Sequence, residues 1–246
     1  MKRLLAVSAL LMATPLCAYA GADFVKGDST LGGSAELGAT LTTGNTDTSS
    51  IKARLTLKQE LGNWENQYDF NGLYSEDTGS VTAKRYGTNL QGNYRFDPSS
   101  YLFVNGSYIV DTFTGYDHTA TMSAGYGYRV YQGADSFFDV EFGPGYITQR
   151  LDDEQSALKG YRTEDSVVAH GVAKFEWDIS KTSKFKQQFI ADYGDKLLAS
   201  SETSITANII GALAMKFSVI VRYNEEPLDN KKSTDTESNM TLLYSF

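Results

Sequence analysis

The chain predicts an all-β fold, a transmembrane antiparallel β-barrel of about twelve strands. Three observations predict it. Over residues 236–246, Met240, Leu242, Tyr244 and Phe246 alternate with Asn239, Thr241, Leu243 and Ser245. A period of two puts the apolar set on one face of a strand and the polar set on the other. The same alternation recurs along almost the whole chain, behind a short apolar run at the N-terminus. Mean hydropathy is nevertheless negative. A membrane protein shows that combination when alternate residues, rather than whole segments, face lipid.

The ends come first because they bound the rest. Lys2 and Arg3 precede an apolar run over 4–12, then Pro15 and the small-x-small triplet Ala18-Tyr19-Ala20. This is the pattern of a secretory signal peptide over residues 1–20, too short in its apolar core to span a bilayer as a helix. A lipidated Cys17 is the rival reading, but Thr14-Pro15-Leu16 lacks the small residue that should precede such a cysteine. Cleavage after Ala20 leaves 21–246 as the barrel and removes the only cysteine, so disulfides do not hold it together. The chain carries a net charge of −8, and −10 once Lys2 and Arg3 are lost. That balance excludes nucleic acid as a partner, since binding it needs a basic surface. Acidic loops suit divalent cations bridging to lipopolysaccharide, but a solvated acidic rim is the simpler account. At the other end, an amphipathic strand stopping on Phe246 resembles the closing strand of bacterial outer-membrane barrels. The resemblance implies that the barrel-assembly machinery reads Phe246 and that the strand then seals the barrel.

The strands follow in order. After a polar lead over 21–33, Ala35, Leu37, Ala39 and Leu41 form one face, and Thr43-Gly44-Asn45-Thr46-Asp47 turns the chain. Ile51, Ala53, Leu55 and Leu57 alternate with Lys52, Arg54, Thr56 and Lys58. On a helix those cations would spread around the circumference, whereas on a strand they share one face. Gly62-Asn63 marks a tight turn. The third strand sets Trp64, Tyr68, Phe70 and Tyr74 against Glu65, Gln67, Asp69 and Asn71, and the fourth sets Tyr86, Leu90, Tyr94 and Phe96 against Arg85, Asn89, Gln91, Asn93 and Arg95. Asp97-Pro98-Ser99-Ser100 turns the chain again. Then come Leu102 to Val110, Ala120 to Val130, Phe138 to Tyr146, Val167 to Trp177, Phe185 to Tyr193, Ile205 to Ile209, Phe217 to Tyr223, and the closing strand.

About twelve strands is an even number, as single-chain bacterial barrels have. With the N-terminus on the periplasmic side, even-numbered strands end in short turns near Gly62, Pro98, Gly133, Lys181 and Ala214. Odd-numbered strands end in longer segments, including 75–82, 152–163 and 225–235. Short periplasmic turns and longer extracellular loops are the expected asymmetry. Trp64, Tyr94, Phe96, Tyr128, Trp177, Tyr244 and Phe246 gather near strand ends, as interfacial girdles do. A soluble β-sandwich would explain the alternation alone, not the signal peptide, the even count and the terminal Phe together. These features place the chain in the outer membrane of a Gram-negative cell, among lipid and lipopolysaccharide. The sequence does not set the oligomeric state, and a monomer is favoured. Gly143-Pro144-Gly145 interrupts the seventh strand, where a Pro removes a ladder donor, and predicts a bulge, a kink or a shorter strand.

The turn Thr43-Gly44-Asn45-Thr46-Asp47-Thr48-Ser49-Ser50, with the basic-alternating strand after it, resembles the YdiY-like family of salt-induced outer-membrane proteins, built from a domain of unknown function. The resemblance covers nearly all of 21–246. It implies a barrel in the outer membrane and a link to osmotic or salt stress, and it brings no catalytic residues to carry over.

The inward face is where function would reside. Lys52, Arg54, Lys58, Arg85, Arg95 and Arg129 lie there with Glu65, Asp69, Asp111, Asp139, Glu141, Glu176, Asp178 and Asp192. A turn near Lys181 sets Asp178 against Lys184 and Glu176 against Lys186; a turn near Gly133 sets Arg129 against Asp139. Opposite charges across a ladder stabilise it by roughly 0.2–1 kcal/mol per pair. A lumen selecting one ion sign would carry rings of one charge; here the signs are mixed. Lys52, Arg54, Asp69, Arg85, Arg95, Arg129, Asp139, Glu141, His170 and Glu176 are therefore the candidate lumen-lining residues of a narrow or gated pore, or of a barrel supporting the envelope under stress. Inward Gly87, Gly125, Gly127, Gly143 and Gly145 either open a passage or make room for long Arg or Tyr side chains. The alternatives are a sealed structural or surface-interaction barrel and a lipid-modifying enzyme at the outer rim. The enzyme needs a nucleophile beside a base. Neither His118, next to Asp117, nor His170, in the lumen, has a Ser two residues away on the lipid face. No catalytic residue, metal or cofactor is expected, and Asn45, Asp47 and Thr48 are explained by turn chemistry without a cation.

Overall fold

The computed structural model describes residues 30–43, 48–77, 80–112, 114–228 and 231–246. The predicted signal peptide, 1–20, and the turn at 44–47 lie outside them. Twelve strands succeed one another: β1 (Thr30–Thr43), β2 (Thr48–Leu61), β3 (Trp64–Asp77), β4 (Ser80–Arg95), β5 (Ser100–Asp111), β6 (Tyr116–Gln132), β7 (Ser136–Leu151), β8 (Thr163–Ser180), β9 (Ser183–Tyr193), β10 (Leu197–Ile210), β11 (Leu213–Asn224) and β12 (Thr234–Ser245). A single short helix among the described residues, α1 (Asp153–Lys159), sits between β7 and β8. Each strand pairs with the next, and β1 also pairs with β12, so the sheet is a closed antiparallel barrel. Closure leaves no edge, and in hydrocarbon an edge would be a column of unpaired N–H and C=O groups.

The seam is built by the C-terminal alternation. Ala35 faces Tyr244, Leu37 faces Leu242 and Ala39 faces Met240. Gly33 and Phe246 exchange two backbone hydrogen bonds of 2.8 and 2.9 Å. A Cβ on Gly33 would stand 2.8 Å from the Phe246 ring, so the terminal aromatic rests on bare backbone. The polar lead expected over 21–33 is shorter than that, because β1 already begins at Thr30 and pairs Thr30–Gly33 with Glu60–Leu57.

Strand lengths run from 11 residues in β9 to 18 in β8, at or above the roughly 9–11 that a tilted strand needs to cross hydrocarbon. Among the described residues no helix is long and apolar enough to cross a membrane. Ile51, Phe70, Met122, Phe142, Val167 and Met240 are exposed on the outer face. Aromatic rings bound that band at both ends. Near the short turns Trp64 meets Tyr94 edge-on at 5.3 Å, Phe96 meets Tyr126 at 6.2 Å and Tyr244 stacks on Phe246 at 6.4 Å. Near the other end Tyr74, Tyr86, Tyr108, Tyr146, Tyr193 and Tyr223 are all exposed outward. An apolar belt between two aromatic girdles matches a bilayer's profile.

The turns at 62–63, 96–99, 133–135, 181–182 and 211–212 are brief, and Gly62 supplies the positive φ (61°) of the first. The opposite end carries 114–115, 152–162, 194–196, 225–228 and 231–233. The loop expected at 75–82 is instead mostly hairpin. β3 and β4 continue to Asp77 and Ser80, with Glu76 paired to Val81 after a register shift. The segment 152–162 holds α1, capped by the Asp152 carboxylate accepting from Gln155 N at 2.7 Å and ended by Gly160 at φ 77°.

The bulge expected at Gly143-Pro144-Gly145 is absent. β7 runs unbroken, Gly143 faces His170 and Pro144 faces Ala169, and the β6 register is the same on both sides of the Pro. The glycines account for this. A Cβ on Gly125 would lie 2.3 Å from the Phe142 carbonyl, and one on Gly143 would lie 2.1 Å from the Ala124 carbonyl. β6 and β7 approach more closely there than any side chain permits.

Candidate functional site

The interior of the barrel divides by strand. On β5, Tyr101 and Phe103 point inward and are almost fully buried. Their rings lie over the glycines of β6: a Cβ on Gly127 would fall 2.2 Å from the Tyr101 ring, and one on Gly125 would fall 2.9 Å from Phe103. With no side chains on Gly125 and Gly143, Phe103 reaches across two strands to within 5.9 Å of the His170 ring on β8. The Tyr101 hydroxyl donates to Glu141 on β7 at 2.8 Å, and Gln91 on β4 donates to the same oxygen at 3.0 Å. His170 pairs through Nδ1 with Asp192 at 2.7 Å. Gly125 and Gly127 thus admit aromatic rings from the neighbouring strand rather than opening a passage, whereas Gly87 and Gly145 face Asn71 and Val168.

The rest of the interior is a cavity of about 1140 Å³ lined chiefly by polar and charged side chains. Its charges fall into three tiers. Near the loop end the buried Glu237 carboxylate accepts from Lys52 at 2.6 Å, Arg222 at 3.0 Å and Arg85 at 3.1 Å. Arg85 also holds Asp111 at 2.5 Å, and Asp235 lies across the ladder from Arg222. At mid-height Glu202 accepts from Arg54 at 3.2 Å and Lys216 at 3.4 Å, and Lys216 reaches Glu36 at 3.2 Å. Near the turn end Glu176 faces Lys186 at 2.9 Å and Lys184 at 3.7 Å, and Lys184 also reaches Asp178 at 3.2 Å. The β8–β9 register sets Asp178 against Lys184 and Glu176 against Lys186, as the turn position predicts.

Of the candidate lining residues, Lys52, Arg54, Asp69, Arg85, His170 and Glu176 border the cavity. Arg95, Arg129, Asp139 and Glu141 face inward but do not border it. Arg95 is paired with Glu65 and lies over the Tyr101 ring at 5.0 Å. Arg129 grips Asp139 in two hydrogen bonds of 2.7 and 2.9 Å and lies over Phe137 at 4.3 Å. Ion pairing between neighbouring strands holds Arg95, Arg129 and Asp139 against the wall, and Glu141 is held by Tyr101 and Gln91. Sequence reasoning missed Glu36, Glu202, Lys216, Arg222 and Glu237, although each occupies the inward parity of its strand and was legible there.

The loop end is roofed. The segment 225–228 leaves β11 and sends Leu228 into a buried cluster with Tyr116 and Leu151, which belong to β6 and β7 on the opposite side of the barrel. A Cβ on Gly115 would meet Leu228 at 2.7 Å, so the glycine makes the berth. Beside it Glu164 accepts from Lys159 at 2.9 Å, the Tyr116 and Tyr161 hydroxyls at 3.0 Å, and Lys196 at 3.3 Å. The Lys159 ammonium, on the loop helix, is held above its ordinary range by that hydrogen bond. Leu228 had no periodic signal to reveal it. His118 sits at the rim with its ring stacked on the outward Tyr108 at 5.2 Å and Arg150 as its partner across the β6–β7 ladder.

A family model described as a protein of unknown function, DUF481, matches residues 35–246, and the chain belongs to that family. It is 24% identical over 205 residues to the uncharacterized protein YdiY of Escherichia coli (strain K12), across 82% of this chain and 78% of that one. Among solved structures, a NanC porin superposes with a TM-score of 0.58 at 8% identity, covering 85% of this chain and 98% of its own. Outer membrane phospholipase A from Escherichia coli superposes with a TM-score of 0.52 at 14% identity, covering 86% and 89%. At those identities the likeness is one of fold: a closed barrel of the outer-membrane type.

Proposed function

We propose that this member of the family is a narrow pore for small polar solutes or ions in the outer membrane of a Gram-negative cell, capped at its extracellular end by the 225–228 segment. The observation that carries the reading is the extent of the cavity. It reaches from Leu228 and Tyr116 at the loop end to Ser180, Thr182 and Phe246 at the turn end. Narrow eight-stranded barrels fill their interiors with side chains, whereas this twelve-stranded one keeps a charged, water-compatible space. Leu228 anchors the cap by apolar contact, and Glu225 ties its root to the Leu197 backbone by two hydrogen bonds of 2.8 and 3.0 Å. A second reading, a sealed structural barrel, is favoured by one feature. Arg85 and Arg54 reach from β4 and β2 to Glu237 on β12 and Glu202 on β10, stapling the wall across the lumen. Catalysis is not part of the proposal, because His118 is stacked on Tyr108 and faces an arginine rather than a hydroxyl nucleophile.

Single-channel recording of the refolded protein in planar bilayers tests both parts, with Leu228→Glu beside the wild type. A carboxylate is costly between Tyr116 and Leu151, so the cap should lift. Discrete steps in both proteins, with longer openings in the variant, are expected. Steps that are identical in the two would discard the cap and keep the pore. Silence in both, with folding shown by heat-modifiable gel mobility, would overturn the pore and leave the sealed barrel.

A further inference from the structure

We propose that the lumenal wall from β4 to β7 is a binding track for neutral polyhydroxylated solutes, saccharides or polyols. The inference rests on the pore reading only in requiring that solute can enter the barrel from one mouth. Consecutive strands here present uncharged polar side chains to the cavity. Asn89, Gln91 and Asn93 do so from β4, Asn105 and Ser107 from β5, and Thr121 from β6. The inward charges of these strands stand outside that stretch. Arg85 and Asp111 pair with each other at its loop end at 2.5 Å, and Asp135 borders the cavity from the β6–β7 turn. Arg95, Arg129, Asp139 and Glu141 do not border the cavity. On the flanks Asp69 accepts from Thr56 and from Gln67 at 2.6 Å each, and His170 is paired with Asp192.

The strand register brings these groups together. One row across the sheet runs Gln67, Gln91, Asn105, Ser123, and the next runs Asp69, Asn89, Ser107, Thr121. Asn89 and Asn105 exchange hydrogen bonds of 3.3 and 3.2 Å, Asn105 donates to Gln91 at 3.2 Å, and Gln91 donates to Asn93 at 3.1 Å. On the next strands Gln149 donates to Thr119 at 3.3 Å. All are longer than the commonest N–H···O distance of about 2.9–3.0 Å. Neutral bonds of this kind gain little over bonds to water, so a solute hydroxyl can replace either partner. Capacity is also left over. Asn71, laid over Gly87, and Ser107 and Thr121 border the cavity with no side-chain hydrogen bond among the described residues. The buried Ser123 hydroxyl at the end of its row has none either. A hydroxyl donates and accepts at once, so neighbouring hydroxyls of a sugar match the N–H and C=O of one amide. An ion gains no opposite charge from this wall. The facing wall offers less to a neutral solute, because Arg54 and Lys216 engage Glu202 and Glu36 at 3.2–3.4 Å, and charge-assisted bonds are the harder to displace. At about 1140 Å³ the cavity exceeds the roughly 300–1,000 Å³ that holds a drug-sized ligand, which leaves room for a short oligosaccharide.

The test is saturation-transfer NMR of maltotriose with the refolded protein in an amine-oxide detergent, which carries no sugar headgroup to compete. Asn89→Ala with Asn105→Ala removes the central amides and widens the lumen rather than blocking it. Three results are expected: transfer that saturates with maltotriose, the same half-saturation at low and high sodium chloride, and about tenfold more sugar needed by the double variant. No saturable transfer to the wild type, or equal half-saturation in the double variant, would overturn the proposal, and so would binding that weakens with salt. If the double variant does not fold, Asn89→Ala alone is titrated, with a loss of about threefold expected and no loss overturning the track. Bilayer recordings of the same preparations keep this result separate from the pore: maltotriose bound by a silent barrel retains the track and removes the channel, and a conducting barrel that binds no maltotriose does the reverse.

Discussion

The two walls of this barrel are built on opposite principles. From β5 to β8 the interior is closed by fit. Tyr101 and Phe103 occupy furrows that exist only because Gly125, Gly127 and Gly143 have no side chains, and the polar ends are tied off at Glu141 and His170. From β8 through β12 and round to β3 the interior is held apart by charge, with lysines, arginines and carboxylates meeting across open space. The first wall depends on sterics, which are short-ranged and tolerate no added atom. The second depends on electrostatics, which act over several ångströms and let water in. A barrel of one kind throughout would be a plug or a wide channel. Combining them narrows a twelve-stranded lumen without filling it.

The sharpest way to break that contrast is Gly125→Val. Its Cβ would meet the Phe142 carbonyl at 2.3 Å and the Gly143 Cα at 2.7 Å, both backbone atoms that cannot swing aside. A cost of more than about 3 kcal/mol is expected, enough to leave the protein without the compact, heat-modifiable band on gels. A normal band would show that β6 and β7 can separate and that the packed wall is not rigid.

A substitution on the charged wall should cost less. Glu237→Gln leaves Lys52, Arg85 and Arg222 around a neutral amide. Removing one partner of a buried ion-pair group costs about 3 kcal/mol, and lumenal water lowers rather than raises that figure. The temperature at which heat-modifiable mobility is lost should fall, and more so at low salt, where the three cations repel one another unscreened. Stability that does not respond to salt would argue against electrostatic support of this wall. The smallest effect belongs to Tyr101→Phe, which keeps the ring over Gly127 and deletes only the hydroxyl donating to Glu141. About 1–2 kcal/mol is expected from the carboxylate losing a donor while Gln91 still serves it. A loss as large as that of Gly125→Val would mean that the hydroxyl, and not the ring's fit, holds the wall.

Much of this was legible in the chain itself, for one reason. In a strand the side-chain period is two, so each outward Phe or Tyr names its inward neighbours. Twelve strands, the pairing of Asp178 with Lys184, Arg129 with Asp139, and the inward place of Lys52, Arg54 and His170 follow from that period and the turn positions. The bulge expected at Pro144 did not follow, because a period says nothing about how closely two backbones approach. Two facing glycines absorbed the defect instead.

What the sequence alone determined is therefore the barrel, its strand count, which residues face in and which face out. Each of these is set by neighbours one or two positions away. The tertiary structure decided everything that depends on residues distant in the chain. It gathered Lys52, Arg85 and Arg222 on Glu237 and laid Phe103 against His170. It also carried Leu228 over the mouth to Tyr116. Curvature brings walls that are five or six strands apart in the sheet within reach of each other, and no local pattern encodes curvature.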